Sequence, residues 1–177
     1  MPTELKISQS KAGIKAQLRA AHDRSVLLSR PGFLMRRLHQ LHCALFLEET
    51  REFNITPVQY SLLTALAETA ELDQKSLAHE IGLERTTVAE VVLRLQSRGL
   101  LERRENPDDA RVKLVRLTRK GRNLVEKMAP AVQRAHDRTV SQIPKEECDL
   151  FLLQLIRLVE ANNDIGNVPF RLQDKPR

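Results

Sequence analysis

The chain has no tryptophan, and its six aromatic residues, Phe33, Phe46, Phe53, Tyr60, Phe151 and Phe170, all lie outside its most basic stretch. Proteins that hold single-stranded DNA or RNA stack bases on aromatic faces set among their cations, so this stretch lacks the surface those ligands need. Cysteine is equally scarce. Cys43 and Cys148 are too few for a disulfide framework and fit a reducing, cytoplasmic setting. No charge-free apolar run approaches the ~20 residues that cross a bilayer, and Met1-Pro2-Thr3-Glu4-Leu5-Lys6 opens no secretory signal. A glycine-rich phosphate loop, a nucleophile elbow and a metal-ligand array of workable spacing are also missing. Neither an enzyme nor a bound cofactor or metal is therefore expected. The acidic doublets Glu48-Glu49, Asp108-Asp109 and Glu146-Glu147 read as solvated helix or turn residues.

What the sequence does have is a local positive field. The formal net charge is +6 over 177 residues, and the hydrophobic content of 41% is enough for a packed core. Between Glu84 and Arg122 eleven basic residues face six acidic ones, which puts +5 in 39 residues and leaves +1 for the other 138. Such a patch suits a polyanion. Without stacking faces, duplex DNA is the favoured one.

Along the chain, residues 1–29 form a polar extension with weak helical character from about Lys11 to Leu28. Arg30-Pro31-Gly32 breaks it. A helix to about Phe53 follows, with Leu34, Leu38, Leu41 and Leu45 at helical spacing beside a stripe of Met35, His39, His42 and Phe46. Thr56-Pro57-x-Gln59 is a capping box with proline at the first helical position, and the helix it opens runs to about Glu68. Asp73 or Ser76 caps a short helix that Gly82 stops; Glu84–Arg98 forms the next, with Val88, Val91, Val92 and Leu95 on one face and Gly99 just past its end. The pattern then switches to two strands, Leu100–Arg104 and Val112–Leu117, around the charged tip Glu105-Asn106-Pro107-Asp108-Asp109-Ala110. Thr118 caps a long helix containing Pro130, and Pro144 opens a last helix to about Asn162. That last helix is apolar on nearly every side, so it needs cover all round, and a partner subunit is the expected source.

The expected fold is mainly α with a small β-hairpin wing. A winged helix-turn-helix DNA-binding domain spans 56–118, a helical dimerisation region is assembled from 30–55 and 119–162, and 163–177 is an irregular tail.

The run Leu77-Ala78-x-x-Ile81-Gly82-Leu83, Thr87-Val88, Leu95, Arg98-Gly99-Leu100-Leu101-x-Arg103, Asp108-Asp109-Ala110-Arg111 and Leu117-Thr118-x-x-Gly121 resembles the MarR (multiple antibiotic resistance regulator) family of transcription regulators. The resemblance covers about Arg30 to Asn162 and leaves the first 29 residues without a counterpart. It implies a homodimer with helices from both chain ends at the interface, two winged reading heads, and repression of a palindromic operator relieved by a small effector. It also implies that Arg111 reaches into a minor groove, while Asp109 holds the wing tip in shape.

With Val88, Val91, Val92 and Leu95 facing inward, the Glu84–Arg98 helix presents Arg85, Thr86, Thr87, Glu90 and Arg94. In a major groove arginine reads guanine and threonine meets a phosphate or a thymine methyl. The competing reading is a solvated face with a Glu90–Arg94 pair. Arg103, Arg104, Lys113 and Arg116 suit phosphates, which set affinity and salt dependence but not sequence choice.

Three readings compete for His39 and His42, which sit beside Cys43 with Arg36 one turn earlier. They are hydrogen-bonded core or interface residues, a lining for an aromatic carboxylate flanked by Phe46 and Tyr60, or half of a metal site. Cys43 is either an inert thiol or the switch of a redox-sensing repressor. An architectural DNA protein without sequence choice is the rival to a regulator.

Overall fold

The computed structural model describes residues 11–107, 109 and 111–165. The chain divides into two compact units, one ending at Ala44 and the other beginning at Leu45. The first unit holds α1 (Lys11–Arg24), a 3-10 turn (Val26–Ser29) and most of α2 (Pro31–Glu49). Ser25 caps the turn by accepting from the Leu27 amide at 3.3 Å, and His22 Nδ1 lies 3.0 Å from Ser29 Oγ.

The second unit begins with the end of α2. That helix stops at Glu49 rather than Phe53, the expected end, because Arg51–Phe53 tightens into a 3-10 turn and Asn54 turns left-handed at φ 51°. Thr50, buried at this corner, returns its hydroxyl to the Phe46 carbonyl at 2.7 Å. Then come α3 (Pro57–Thr69), β1 (Glu71–Asp73), α4 (Gln74–Ile81), α5 (Arg85–Ser97), β2 (Leu101–Glu105), β3 (Lys113–Leu117), α6 (Arg119–Val140) and α7 (Lys145–Ala161).

Local chemistry sets these boundaries. The expected capping box opens α3: Gln59 N donates to Thr56 Oγ1 at 3.3 Å, and Thr56 N donates to Gln59 Oε1 at 3.1 Å. At α4 the cap is Asp73, whose Oδ1 accepts from Lys75 N and Ser76 N at 2.8 and 3.0 Å. Gly82 and Gly99, at φ 64° and 69°, end α4 and follow α5 in the left-handed region where a side chain is costly. Pro130 stands inside α6 without ending it.

The core of this unit is one cluster. Leu62, Leu63 and Leu66 of α3, Leu77 of α4, Val88, Val92 and Leu95 of α5, Val115 of β3 and Met128 of α6 are fully buried in it. Each such side chain contributes about 1.5–3 kcal/mol, well above the ~0.2–1 kcal/mol of an exposed ion pair. The sheet has three strands rather than the hairpin alone, in the antiparallel order β1-β3-β2. Leu72 lies opposite Val115, and Leu101 opposite Leu117. The strands start one residue later than expected: Leu100 and Val112 lie just outside them.

α7 buries none of its residues against this chain, and Leu150, Leu152, Leu153, Ile156, Leu158 and Val159 are all exposed. Of the expected irregular tail, Asn163–Ile165 forms a 3-10 turn. The rest of that tail, the first ten residues of the extension, and Asp108 and Ala110 of the wing tip lie outside the described residues.

Candidate nucleic-acid interface

α4 and α5 form the helix-turn-helix. The Leu83 amide returns to the Ala78 carbonyl at 3.0 Å across the Gly82 turn, which fixes the angle at which α5 leaves. The buried stripe of α5 is Val88, Val91, Val92 and Leu95, as the spacing predicts. Arg85, Thr86, Thr87, Glu90 and Arg94 are therefore all exposed together on the opposite side. Arg94 Nη2 lies 3.4 Å from Glu90 Oε2, a loose pair between two well-exposed side chains. Leu93, which a core reading of its apolar neighbours conceals, is 55% exposed on the same side. Its spacing of seven from Thr86 and three from Glu90 is the signal that finds it. At the start of α5 Glu84 makes no side-chain cap, so the first amides are left for water or an anion. At the far end Arg98 donates to the carbonyls of Asn54 (2.7 Å) and Phe53 (3.1 Å), tying α5 to the segment before α3.

The sheet positions the wing cations, and β1 is what makes the arrangement legible. Arg104 forms a two-pronged pair with Glu71 of β1, its Nε donating to Oε2 at 2.7 Å. Arg116 Nε meets Glu102 Oε1 at 2.7 Å across the β2–β3 ladder, and Lys113 Nζ meets Glu105 Oε1 at 2.6 Å. At the tip, Asp109 Oδ1 accepts from the Arg111 backbone amide at 3.0 Å and from its Nε at 3.1 Å. Arg111 is nevertheless 92% exposed along its side chain.

Hydrogen bonds from these cations hold the carboxylates of Glu71, Glu105 and Asp109 below their ordinary range, and the Glu71 bond raises Arg104. Asp73 is pushed up by its partial burial but held low on balance by the hydroxyl and amide of Ser76 and the amide of Lys75. Arg103 has a buried Nε with no hydrogen-bond partner among the described residues. Lys75, Arg85, Arg103, Arg111 and Lys113 line one open cleft of about 420 Å³ between the start of α4, the start of α5 and the wing. The start of α5 and the wing thus share one cationic cleft.

The histidine-bearing helix face divides between the units. In the first, Arg36 stacks its guanidinium 5.3 Å above the Phe33 ring, and His39 Nε2 lies 3.5 Å from Cys43 Sγ. In the second, Phe46 is a core residue at 2% exposure whose ring centroid lies 5.9 Å from that of partly buried Tyr60, tilted by 56°. Among the described residues no group of three or more His, Cys, Asp or Glu is placed to hold a metal ion, and no helix is long and apolar enough to cross a membrane.

The MarR family model matches residues 55–113, from the loop before α3 to the first residue of β3. The PcaV transcriptional regulator of Streptomyces coelicolor, solved in complex with its natural ligand, is 33% identical, with a TM-score of 0.69 over 76% of this chain and 95% of its own. The chain belongs to the MarR family. The HTH-type transcriptional repressor NicR of Pseudomonas putida is 25% identical over 135 residues, which are 76% of this chain and 85% of NicR. Bordetella bronchiseptica BpsR, solved to explain regulation of its DNA binding by 6-hydroxynicotinic acid, is 29% identical, with a TM-score of 0.71 over 74% of this chain and 94% of its own. MarR family members are non-enzymatic DNA-binding transcription regulators, and this chain is one of them. The mainly helical fold with a small antiparallel sheet is the family's fold.

Proposed function

We propose that this MarR family protein is a repressor that reads a palindromic operator as a homodimer and is released by a small aromatic carboxylate. The observation that carries the DNA reading is the single open cleft in which Arg85 of α5 meets Arg103, Arg111 and Lys113 of the wing. With α5 in a major groove, Arg85, Arg94, Thr86, Thr87 and Glu90 meet base edges and adjoining phosphates. Arg111 enters the neighbouring minor groove, where narrow segments concentrate negative potential. Asp109 sets the tip that carries it, and Arg103, Arg104 and Lys113 take phosphates. Titrations on matched and base-substituted operators test this division. Arg85→Ala or Arg94→Ala changes which operator is preferred, whereas Lys113→Ala weakens all duplexes alike. An Arg111→Ala protein with undiminished operator affinity removes the wing from the reading. A discrete footprint supports reading of a specific operator; uniform coverage opposes it.

The apolar side chains that α7 leaves exposed support the dimer, because a helix apolar on all sides needs cover. Two α5 helices then meet successive major grooves about 34–36 Å apart, and a monomeric protein on its operator contradicts this.

For the effector, imidazole and guanidinium groups on α2 at Arg36, His39 and His42 suit a carboxylate, and 6-hydroxynicotinic acid, which BpsR answers to, is the first probe. Calorimetry in which His39→Ala/His42→Ala binds that probe as tightly as wild type excludes these histidines. One contact favours a second reading. His39 at 3.5 Å from the Cys43 thiol gives an oxidant a thiol with a basic neighbour, and operator release by peroxide in wild type but not in Cys43→Ser selects it.

A further inference from the structure

Five cations of the reading head are paired within the chain. Arg94, Arg104, Arg111, Lys113 and Arg116 each hold a carboxylate of their own chain, respectively Glu90, Glu71, Asp109, Glu105 and Glu102. At the other end of α5 the arrangement is different. An open cleft of about 470 Å³ is lined by Arg98, Arg119, Lys120 and Lys127, with Leu100 and Leu124 as its apolar lining and no acidic residue. None of these four cations has a carboxylate partner among the described residues. Arg98 is spent on the carbonyls of Asn54 and Phe53, and Lys120 Nζ on the carbonyl of Arg98 at 2.8 Å. Those bonds orient the two groups without cancelling their charge. Arg119 and Lys127 are exposed on the same side of α6, two turns apart. The first turn of α6 also carries no acid, so its dipole adds to the positive potential rather than offsetting it.

We propose that this basin is a binding site for a phosphate-class anion, separate from the surface that reads the operator. The geometry favours a multiply charged oxyanion over a lone carboxylate. Four like charges held around one concave surface repel one another until an anion of comparable charge enters, and guanidinium and ammonium groups together match phosphate oxygens. The thirteen residues of α5, at 1.5 Å per residue, put the basin roughly 20 Å from the wing cleft, so one phosphate cannot serve both. The anion has two possible sources. One is the backbone of duplex flanking the operator, a source that rests on the DNA-reading function above. The other is a soluble phosphorylated compound, for which Leu100 and Leu124 provide an apolar contact.

The test uses the full chain and the double variant R119Q/K127Q, which removes two exposed charges that pair with no carboxylate among the described residues; its melting temperature is compared with wild type first. Inorganic pyrophosphate is titrated by calorimetry, and operator affinity is measured against salt on a duplex trimmed to the operator and on one extended by a helical turn at each side. Pyrophosphate bound at the reading surface survives in the variant, so the difference isolates the basin. A tenfold loss of pyrophosphate affinity with unchanged salt slopes supports the site and assigns it to a soluble anion. A salt slope shallower by about 1.8 on the extended duplex alone supports the site and assigns it to flanking phosphates, since each neutralised phosphate contributes about 0.9. Pyrophosphate affinity and both slopes equal to wild type overturn the proposal.

Discussion

Replacing Gly121 by alanine tests how the wing is fastened to α6. A Cβ added at Gly121 would lie 2.2 Å from the Leu100 carbonyl oxygen and 3.1 Å from its carbon. Both are backbone atoms, so no side-chain rotation relieves the clash. The same oxygen accepts from Thr118 N at 3.1 Å and Thr118 Oγ1 at 3.2 Å. Room for a methyl group appears only if the start of α6 leaves the entry to β2, and those bonds weaken with it. Overpacking of this kind costs about 1–3 kcal/mol, and a strained hydrogen bond adds about 1 kcal/mol, which together give roughly 3 kcal/mol. For a chain of this length each kcal/mol lowers Tm by about 2–4 °C, so Gly121→Ala melts roughly 6–12 °C below wild type. Two other glycines calibrate the scale. Gly99 has φ +69° and nothing within 4 Å of its Cβ position, so Gly99→Ala costs only the left-handed backbone penalty of about 1–2 kcal/mol. Gly32 lies in α2 with open space around its Cβ position, and Gly32→Ala stabilises by up to about 1 kcal/mol. Thermal melts followed by circular dichroism at one fixed protein concentration should rank Gly32→Ala above wild type, then Gly99→Ala, then Gly121→Ala. A Gly121→Ala protein that melts no lower than Gly99→Ala refutes the close-approach reasoning.

Three further outcomes follow from the same geometry. Arg134 and, next, Arg138 hold the Glu49 carboxylate below its ordinary range, so the stability it contributes is complete above the unfolded carboxylate value of about 4.3 and is lost as pH falls through the lower folded value. The difference in Tm between wild type and Glu49→Gln should therefore shrink on acidification, and a difference that grows overturns the assignment. Asp73→Ala strips the amides of Lys75 and Ser76 of their cap, with an expected cost of about 1 kcal/mol in urea unfolding; no loss means that β1 pairing alone holds the start of α4. Leu93→Ala, at an exposed site, should leave stability within about 0.5 kcal/mol while changing operator affinity. Uracil in place of the contacted thymine should abolish that change if a thymine methyl is what Leu93 meets.

The helices were legible because their signals are local. The Thr56–Gln59 capping box, the Gly82 and Gly99 stops and the inward stripe of α5 each depend on residues within a few positions of one another. β1 was hidden because three residues, Glu71–Asp73, carry too little alternation to announce a strand; pairing with β3 some forty positions later makes them one. The partner of Arg104 was hidden for the same reason. Its ion pair with Glu71 spans 33 positions, and sequence alone counts the arginine as free charge. The basic stretch was visible as a net value, but its division into paired cations such as Arg104 and Lys113, cations such as Arg103 with no carboxylate partner among the described residues, and an acid-free basin at Arg98 and Lys120 depends on which side chains the fold brings together.

That division bears on how a regulator of this kind discriminates. Phosphate contacts contribute to binding on any duplex, whereas base contacts contribute only at the operator. On the proposed reading, Arg104 and Lys113 must exchange Glu71 and Glu105 for phosphates, and those carboxylates remain close to the DNA backbone and repel it. Exposed pairs of this sort are worth about 0.2–1 kcal/mol each, small enough to give way yet sufficient in sum to lower affinity for every sequence alike. The acids that pair with the wing thus reduce the sequence-blind part of binding. On the same proposal, occupancy is left to the face of Arg85, Thr86, Thr87, Glu90 and Arg94, where a correct base pair would decide whether the protein stays.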